Sequence, residues 1–262
     1  MQRWDGQALT RHPDELIVEE PLEIHLDGHL VGTTMRTPGH DFELAVGLCH
    51  SDGLLAGALV ESCRYCATGS AVDTAFNVVT VDTGGQAPVP TPRLSATSSA
   101  CGLCGSTDLD TLQARIGPIS TGEAWSTDLL AGVPATVRRQ QPLFDATGAV
   151  HAAAAFDRSG QIIVVREDIG RHNAVDKVVG RLLLDDALPA ANLGLYVSGR
   201  AAFEIVQKAW AAGFSAVVAV SAPSSLAVEA ARIAGITLAG FVRSPQDDAV
   251  TCNVYSPEPG RR

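Results

Sequence analysis

Apolar and polar residues alternate through LIVEEPLEIHLDGHLVGTTMRTPG, with Leu22, Ile24 and Leu26 on one side and Asp27-Gly28 breaking the run. A period of two with an Asp-Gly break predicts a β-hairpin. The period changes in DFELAVGLCHSDGLL, where Leu44, Ala45, Leu48 and Cys49 recur at helical spacing. That stretch predicts a helix with Asp41 placed to cap its start. FNVVTVDTGG predicts a strand stopped by glycine. QAPVPTPRLSATSSA then loses all periodicity and reads as exposed loop.

The second half is more regular. QIIVVREDIG predicts a strand running into a glycine turn. HNAVDKVVGRLLLD predicts a helix, with Ala174, Val175, Val178, Val179, Leu182 and Leu183 on one face. LGLYVSG, SAVVAVSAPSS and ITLAGFVRSPQ predict strands. RAAFEIVQKAWAAG and LAVEAARIAG predict helices ended by Gly213 and Gly235. This β-α-β-α-β order with near-continuous apolar strands predicts a parallel sheet covered by helices. The expected fold class is therefore α/β: a C-terminal parallel-sheet domain with a smaller, irregular β-rich N-terminal subdomain. The expected division is 1–125 for the β-rich part and 126–262 for the α/β part.

Composition sets the context. The chain has 262 residues, long enough for one large core or two smaller domains, and a formal net charge of −10. An acidic protein repels a phosphate backbone, so general nucleic-acid binding is not expected. No apolar run is long enough to span a bilayer, and MQRWDGQALTRHPDE lacks an apolar signal core, so the expected compartment is the cytoplasm. There the six cysteines read as thiols, metal ligands or reactive groups rather than structural disulfides.

In open α/β sheets ligands bind at the carboxyl ends of the strands. The segments leaving those ends are EDIGRHN, VSGRA, SAPSS and FVRSPQ. They gather Arg171, His172, Ser198, Gly199, Arg200, Ser221 and Arg243 on one edge. Helix N-termini add backbone N–H groups, making a local cationic crevice suited to a phosphorylated ligand. Taken singly, each loop also reads as a helix cap through Ser198, Ser221 or Asn173. The chain has no GxGxxG and no GxxxxGK[ST], so a dinucleotide fingerprint and a P-loop are both absent.

SSACGLCGS presents Cys101 and Cys104 among Ser, Ala and Gly, with almost nothing to pack. With Cys63 and Cys66 in CRYC, these thiols could form a four-cysteine zinc site, although the intervening gap is long. A thioredoxin-like pair fits less well, because Gly102 and Gly105 break helical order. The third reading is a mobile nucleophile that visits two partners. Cys49 belongs to a helix's apolar face and reads as core; Cys252 is assigned no role. His151 lacks the glutamate two residues on that a zinc deaminase carries, so it reads as a core or ligand-contacting histidine.

TMRTPGHDFELAVGLCHSDGLL, SSACGLCGS, EDIGRHNAVDKVVG, VSGRAAFEIVQKA, SAPSSLAVE and GITLAGFVR, in that order, resemble the FdhD family, from about residue 15 to the end. The resemblance implies a fold similar to that of cytidine deaminase, a homodimer, and a sulfurtransferase required for formate dehydrogenase activity. Sulfane sulfur would pass from a cysteine desulfurase, as a cysteine persulfide, to the bis(molybdopterin guanine dinucleotide) molybdenum cofactor, a bound client rather than a permanent group. By motif, Cys101 would carry the persulfide, with Cys104 as second thiol. Phe241, Val242, Arg243, Ser244, Pro245 and Gln246 would form the cofactor-binding segment. The alternative is a non-catalytic cofactor chaperone whose cysteines hold zinc.

Overall fold

The computed structural model describes residues 1–66, 70–91, 113, 116–119, 123–243 and 251–257. β1 (Gln2–Trp4) and β2 (Leu9–Arg11) form a short exposed hairpin. β3 (Glu20–Leu26) and β4 (His29–Arg36) form the expected second hairpin. Its two turn residues, Asp27 and Gly28, have φ of 49° and 81°. A two-residue turn of this hand matches the twist of the strands it joins. α1 (Asp41–Ser51) follows, then β5 (Ser62–Tyr65) and β6 (Val78–Asp82). The small sheet has the order β4-β3-β6-β5. Leu22, Ile24, Leu26, Val79 and Val81 pack there with Leu44, Ala45, Val46 and Cys49 of α1.

Asp41 does not cap α1. The N-cap is His40, left-handed at φ 58° and without a side-chain cap bond. The Asp41 carboxylate instead accepts two bonds from Arg36, Nε to Oδ1 at 3.1 Å and Nη2 to Oδ2 at 3.0 Å. A buried guanidinium needs a carboxylate more than a helix end needs a cap.

The second half runs α2 (Thr127–Arg138), α3 (Pro142–Thr147), β7 (His151–Phe156), β8 (Ile162–Asp168), α4 (Arg171–Leu184), β9 (Gly194–Val197), α5 (Phe203–Ala211), β10 (Ala216–Ala219), α6 (Ser225–Ala234), β11 (Thr237–Arg243) and β12 (Thr251–Ser256). The large sheet has the order β12-β11-β10-β9-β7-β8. β9, β10 and β11 are parallel, as expected, but β7 and β12 run antiparallel to their neighbours. The sheet is therefore mixed α/β rather than purely parallel. β7 reads His-Ala-Ala-Ala-Ala-Phe, and alanine favours helix when packing does not decide. Here packing decides, because all five residues from Ala152 to Phe156 are buried. Gly194 sits opposite Phe156 in the register, and a side chain at 194 would collide with the Phe156 ring.

Alternate residues feed two cores. Ala153, Ala155, Leu195, Val197, Val217 and Ala219 face α4, α5 and α6. Ala154, Phe156, Tyr196, Val218 and Val242 face Trp125 and the Leu130, Val133 and Val137 side of α2. The small sheet joins this body through α1, which crosses α4 where Gly47 faces the Asp176 carbonyl and Gly180 faces the Glu43 carbonyl.

Candidate functional site

The motif EDIGRHNAVDK leaves the carboxyl end of β8 and enters α4. Most of its polar side chains turn inward. The fully buried Asp168 carboxylate lies 2.7 Å from Lys177 Nζ. It also accepts the Thr37 and Gly170 backbone N–H groups, at 3.1 and 2.8 Å, and Asn173 Nδ2 at 3.1 Å. Asn173 Nδ2 donates to the Met35 carbonyl at 2.7 Å, and Lys177 donates to the Thr37 carbonyl at 2.9 Å. These bonds fasten the end of β4 to the end of β8, so Asn173 bridges two sheets rather than capping a helix. Glu167 accepts the Leu143 and Phe144 N–H groups at the start of α3, both at 2.9 Å. Asp176 is buried against Lys208 at 2.8 Å. Arg171 and His172 are left half-buried at the sheet edge.

The next three loops are strapped together by backbone bonds. Ser221 N–H donates to the Gly199 carbonyl at 3.3 Å, and Phe241 N–H to the Ser221 carbonyl at 3.2 Å. Ala201 and Pro223 form a parallel bridge, and Ser224 N–H donates to the Ala201 carbonyl. Gly199, Ser221 and Phe241 thus form one row along the edge. Gly240 permits the close approach, since a Cβ there would meet Pro223 Cδ at 2.9 Å. Ser221 caps nothing; Ser224 caps α6 by accepting the Ala227 N–H. Ser198 Oγ accepts the Ala152 N–H at 2.9 Å and lies 3.3 Å from His151 Nδ1.

The electrostatics are cationic. Burial lowers the Arg171 pKa from its ordinary value, and the nearby Arg200 charge lowers it further, with Glu204 opposing both. Arg200 is exposed. His172 Nε2 lies 2.8 Å from Glu204 Oε2, and His172 is the main cause of the lowered Glu204 pKa. The His151 pKa is also lowered, first by burial, then by Arg171 and His172, with Asp168 opposing. Phe241 holds a left-handed φ of 52° while 39% exposed. An aromatic side chain presented from strained backbone is a feature of ligand clamps.

Other expected site residues fall differently. Arg243 is exposed at the end of β11, two strands from β9. Val242 is fully buried beneath, so only its backbone reaches the edge. Ser244, Pro245, Gln246, Cys101 and Cys104 lie outside the described residues. Cys63 and Cys66 are free, half-buried thiols. Burial pushes the Cys63 pKa up to about 11. Cys49 lies in the core as expected. Among the described residues no group of three or more His, Cys, Asp or Glu side chains is placed to hold a metal, and no helix is long and apolar enough to cross a membrane. Sequence reasoning gave Glu204 no role although it stands four residues after Arg200 in VSGRAAFE; the lone polar residue heading an alanine run marked His151.

The fold and edge define a mixed α/β protein with a small second β sheet and with Arg171 and Arg200 grouped at the carboxyl end of its parallel strands. The chain belongs to the FdhD/NarQ family, whose sequence pattern matches residues 17–261. It is 49% identical over 250 residues to the sulfur carrier protein FdhD of Nocardia farcinica, covering 94% of this chain and 88% of that one. The sulfur carrier protein FdhD of Streptomyces avermitilis is 45% identical, with 97% and 91% covered. A solved structure of a candidate formate dehydrogenase accessory protein from Desulfotalea psychrophila superposes with a TM-score of 0.72 at 22% identity, over 98% of this chain and 96% of that one. That similarity concerns the fold.

Proposed function

We propose that this chain is a sulfur carrier serving formate dehydrogenase, as the names of its relatives suggest. In this reading the Cys101 thiolate attacks the outer sulfur of a cysteine desulfurase persulfide. A new S–S bond forms at Cys101, and the desulfurase cysteine leaves as a thiolate. The Cys104 thiolate then attacks the inner sulfur at Cys101, so that a Cys101–Cys104 disulfide forms, the S–S bond to the outer sulfur breaks, and that sulfur leaves as sulfide to the molybdenum of a bis(molybdopterin guanine dinucleotide) cofactor held as a client; a cellular thiol reductant reopens the disulfide. The work divides between a thiol-bearing part, residues 1–125, and a cofactor-binding part, residues 126–262, acting as a homodimer in the cytoplasm.

The observation that carries the reading is the edge that groups Arg171 and Arg200 near the strapped row Gly199–Ser221–Phe241. Two guanidiniums and a helix N-terminus suit a diphosphate. An exposed aromatic ring suits guanine or pterin stacking. Such a local charge on a chain of net charge −10 makes the crevice selective rather than broadly anion-binding.

Native intact mass after incubation with a cysteine desulfurase and cysteine tests the carrier step. The expected result is a gain of one sulfur that is lost to reductant and absent in Cys101→Ala. A zinc-bound mass with no added sulfur would overturn it and leave a cofactor chaperone.

A further inference from the structure

We propose that His151 is a ligand-contacting residue of the crevice and gains a proton when a nucleoside diphosphate binds beside Arg171. The inference rests on the crevice reading above and adds to it a residue and a proton.

His151 opens β7, the one antiparallel strand inserted between β8 and β9. Its start therefore lies at the same edge as the carboxyl ends of its two neighbours. The ring lies beneath Gly199: a Cβ built there would be 3.5 Å from His151 Cε1 and Nδ1 and 3.8 Å from Arg171 Cδ. The imidazole is thus in the layer of the crevice that also holds the Arg171 side chain. It is half-buried rather than sealed.

Among the described residues, the groups facing the ring are Arg171 and His172 from α4, Asp168 from the end of β8, and Ser198 from the loop after β9. Arg200 lies beside Arg171, and Glu204 Oε2 from α5 lies 2.8 Å from His172 Nε2. The nearest carboxylate, Asp168, is already committed to Lys177 and three N–H donors. These surroundings disfavour a charged imidazole, and burial and Arg171 hold the His151 pKa below its ordinary value. A diphosphate beside Arg171 reverses that balance, because its charge opposes the guanidinium's and favours an imidazolium.

The Ser198 hydroxyl suits the change. It accepts the Ala152 N–H and lies 3.3 Å from Nδ1. A hydroxyl both donates and accepts, so it can donate to a neutral Nδ1 or, after rotating, accept from a protonated one. The ring can change charge with no movement of the backbone. The proton comes from solvent, and no bond is made or broken beyond that transfer.

The test is titration calorimetry with guanosine diphosphate at pH 6.5, in buffers of different ionisation enthalpy. Because the ligand's terminal phosphate also titrates near this pH, the quantity read is the difference between chains: the native chain should take up about half a proton more than His151→Gln, as expected for an imidazole crossing this pH. His172→Gln should match the native chain. Equal proton exchange by the native chain and His151→Gln would overturn the inference while leaving the crevice standing. Native binding unaffected by Arg171→Ala and Arg200→Ala, or no binding at all, would instead remove the crevice reading and this inference with it. Should His151→Gln misfold, the His151 ring signal of the native chain, followed by NMR against pH, serves as the measurement. Its midpoint should rise with guanosine diphosphate, and an unmoved midpoint would refute the proton gain.

Discussion

Gly47 on α1 and Gly180 on α4 each lie against the opposite helix's backbone, so neither position has room for a methyl group. A Cβ on Gly47 would fall well inside contact with the Asp176 carbonyl oxygen, and one on Gly180 inside contact with that of Glu43. The crossing joins the small β sheet to the large one and sets the depth at which α4 presents Arg171. Gly47→Ala and Gly180→Ala should each destabilise the fold by about 1–3 kcal/mol or more, since backbone cannot yield as a side-chain tip can. Chemical denaturation would measure the loss; a midpoint shift within error for both would mean that the helices separate freely.

Lys177 and Asp168 form a pair at 2.7 Å, almost without exposure, that holds Thr37 from both sides: Lys177 donates to its carbonyl and Asp168 accepts its N–H. Removing one partner strands the other charge. Lys177→Met should cost about 3–5 kcal/mol, the usual penalty for breaking a buried pair. Asp168→Asn should cost less, because the amide oxygen can still accept some of the N–H bonds. Urea unfolding of both variants gives the comparison, and equal small losses would argue against a buried charge pair.

The regular second half was legible because strand and helix periods alternate there between glycine stops, as at Gly213 and Gly235. The edge carrying Arg171, Ser198, Arg200 and Ser221 followed from the rule for carboxyl ends. β7 was not legible: four alanines carry no strand period, and only burial on both faces makes them a strand. β12 was hidden by polar residues such as Asn253 that an edge strand can expose. Nor could pattern reveal that Asp168, Asn173 and Lys177 turn inward, since their partners Thr37 and Met35 lie more than a hundred positions away. His151 and Ser198 meet only because β7 pairs with β9.

Phe241 offers a separation of stability from binding. Its left-handed φ of 52° costs a non-glycine residue roughly 1–3 kcal/mol. Phe241→Gly should therefore hold or raise stability, while losing an aromatic stack worth about 1–3 kcal/mol per base. Guanosine diphosphate affinity should drop about tenfold by calorimetry. Unchanged affinity would remove Phe241 from the site.

Thiol labelling should sort the described cysteines by burial. Cys49 is fully buried, and desolvation, together with the Asp52 charge, raises its pKa strongly. Cys63, at about 11, holds roughly one part in a thousand as thiolate at pH 8. Iodoacetamide at pH 8 should leave both unmodified in the native chain and modify both in urea, as read by peptide mass spectrometry. Rapid native labelling of Cys63 would make CRYC a competing sulfur acceptor.

The pH dependence of stability follows from two histidines. Burial is the main cause that lowers the pKa values of His40 and His151, followed by Arg166 for the first and Arg171 for the second. Unfolded, each titrates near its ordinary value of 6.5. As pH falls below that value the unfolded chain binds protons that the folded chain still refuses. Stability should thus decline from about pH 6.5 downward until the folded histidines also protonate. Urea midpoints between pH 7.5 and 5 should show the slope in the native chain and a shallower one in His151→Gln. Guanosine diphosphate should flatten the native slope as well, since a bound anion favours the protonated ring. A slope indifferent to both the substitution and the ligand would mean that His151 titrates alike in the folded and unfolded chain.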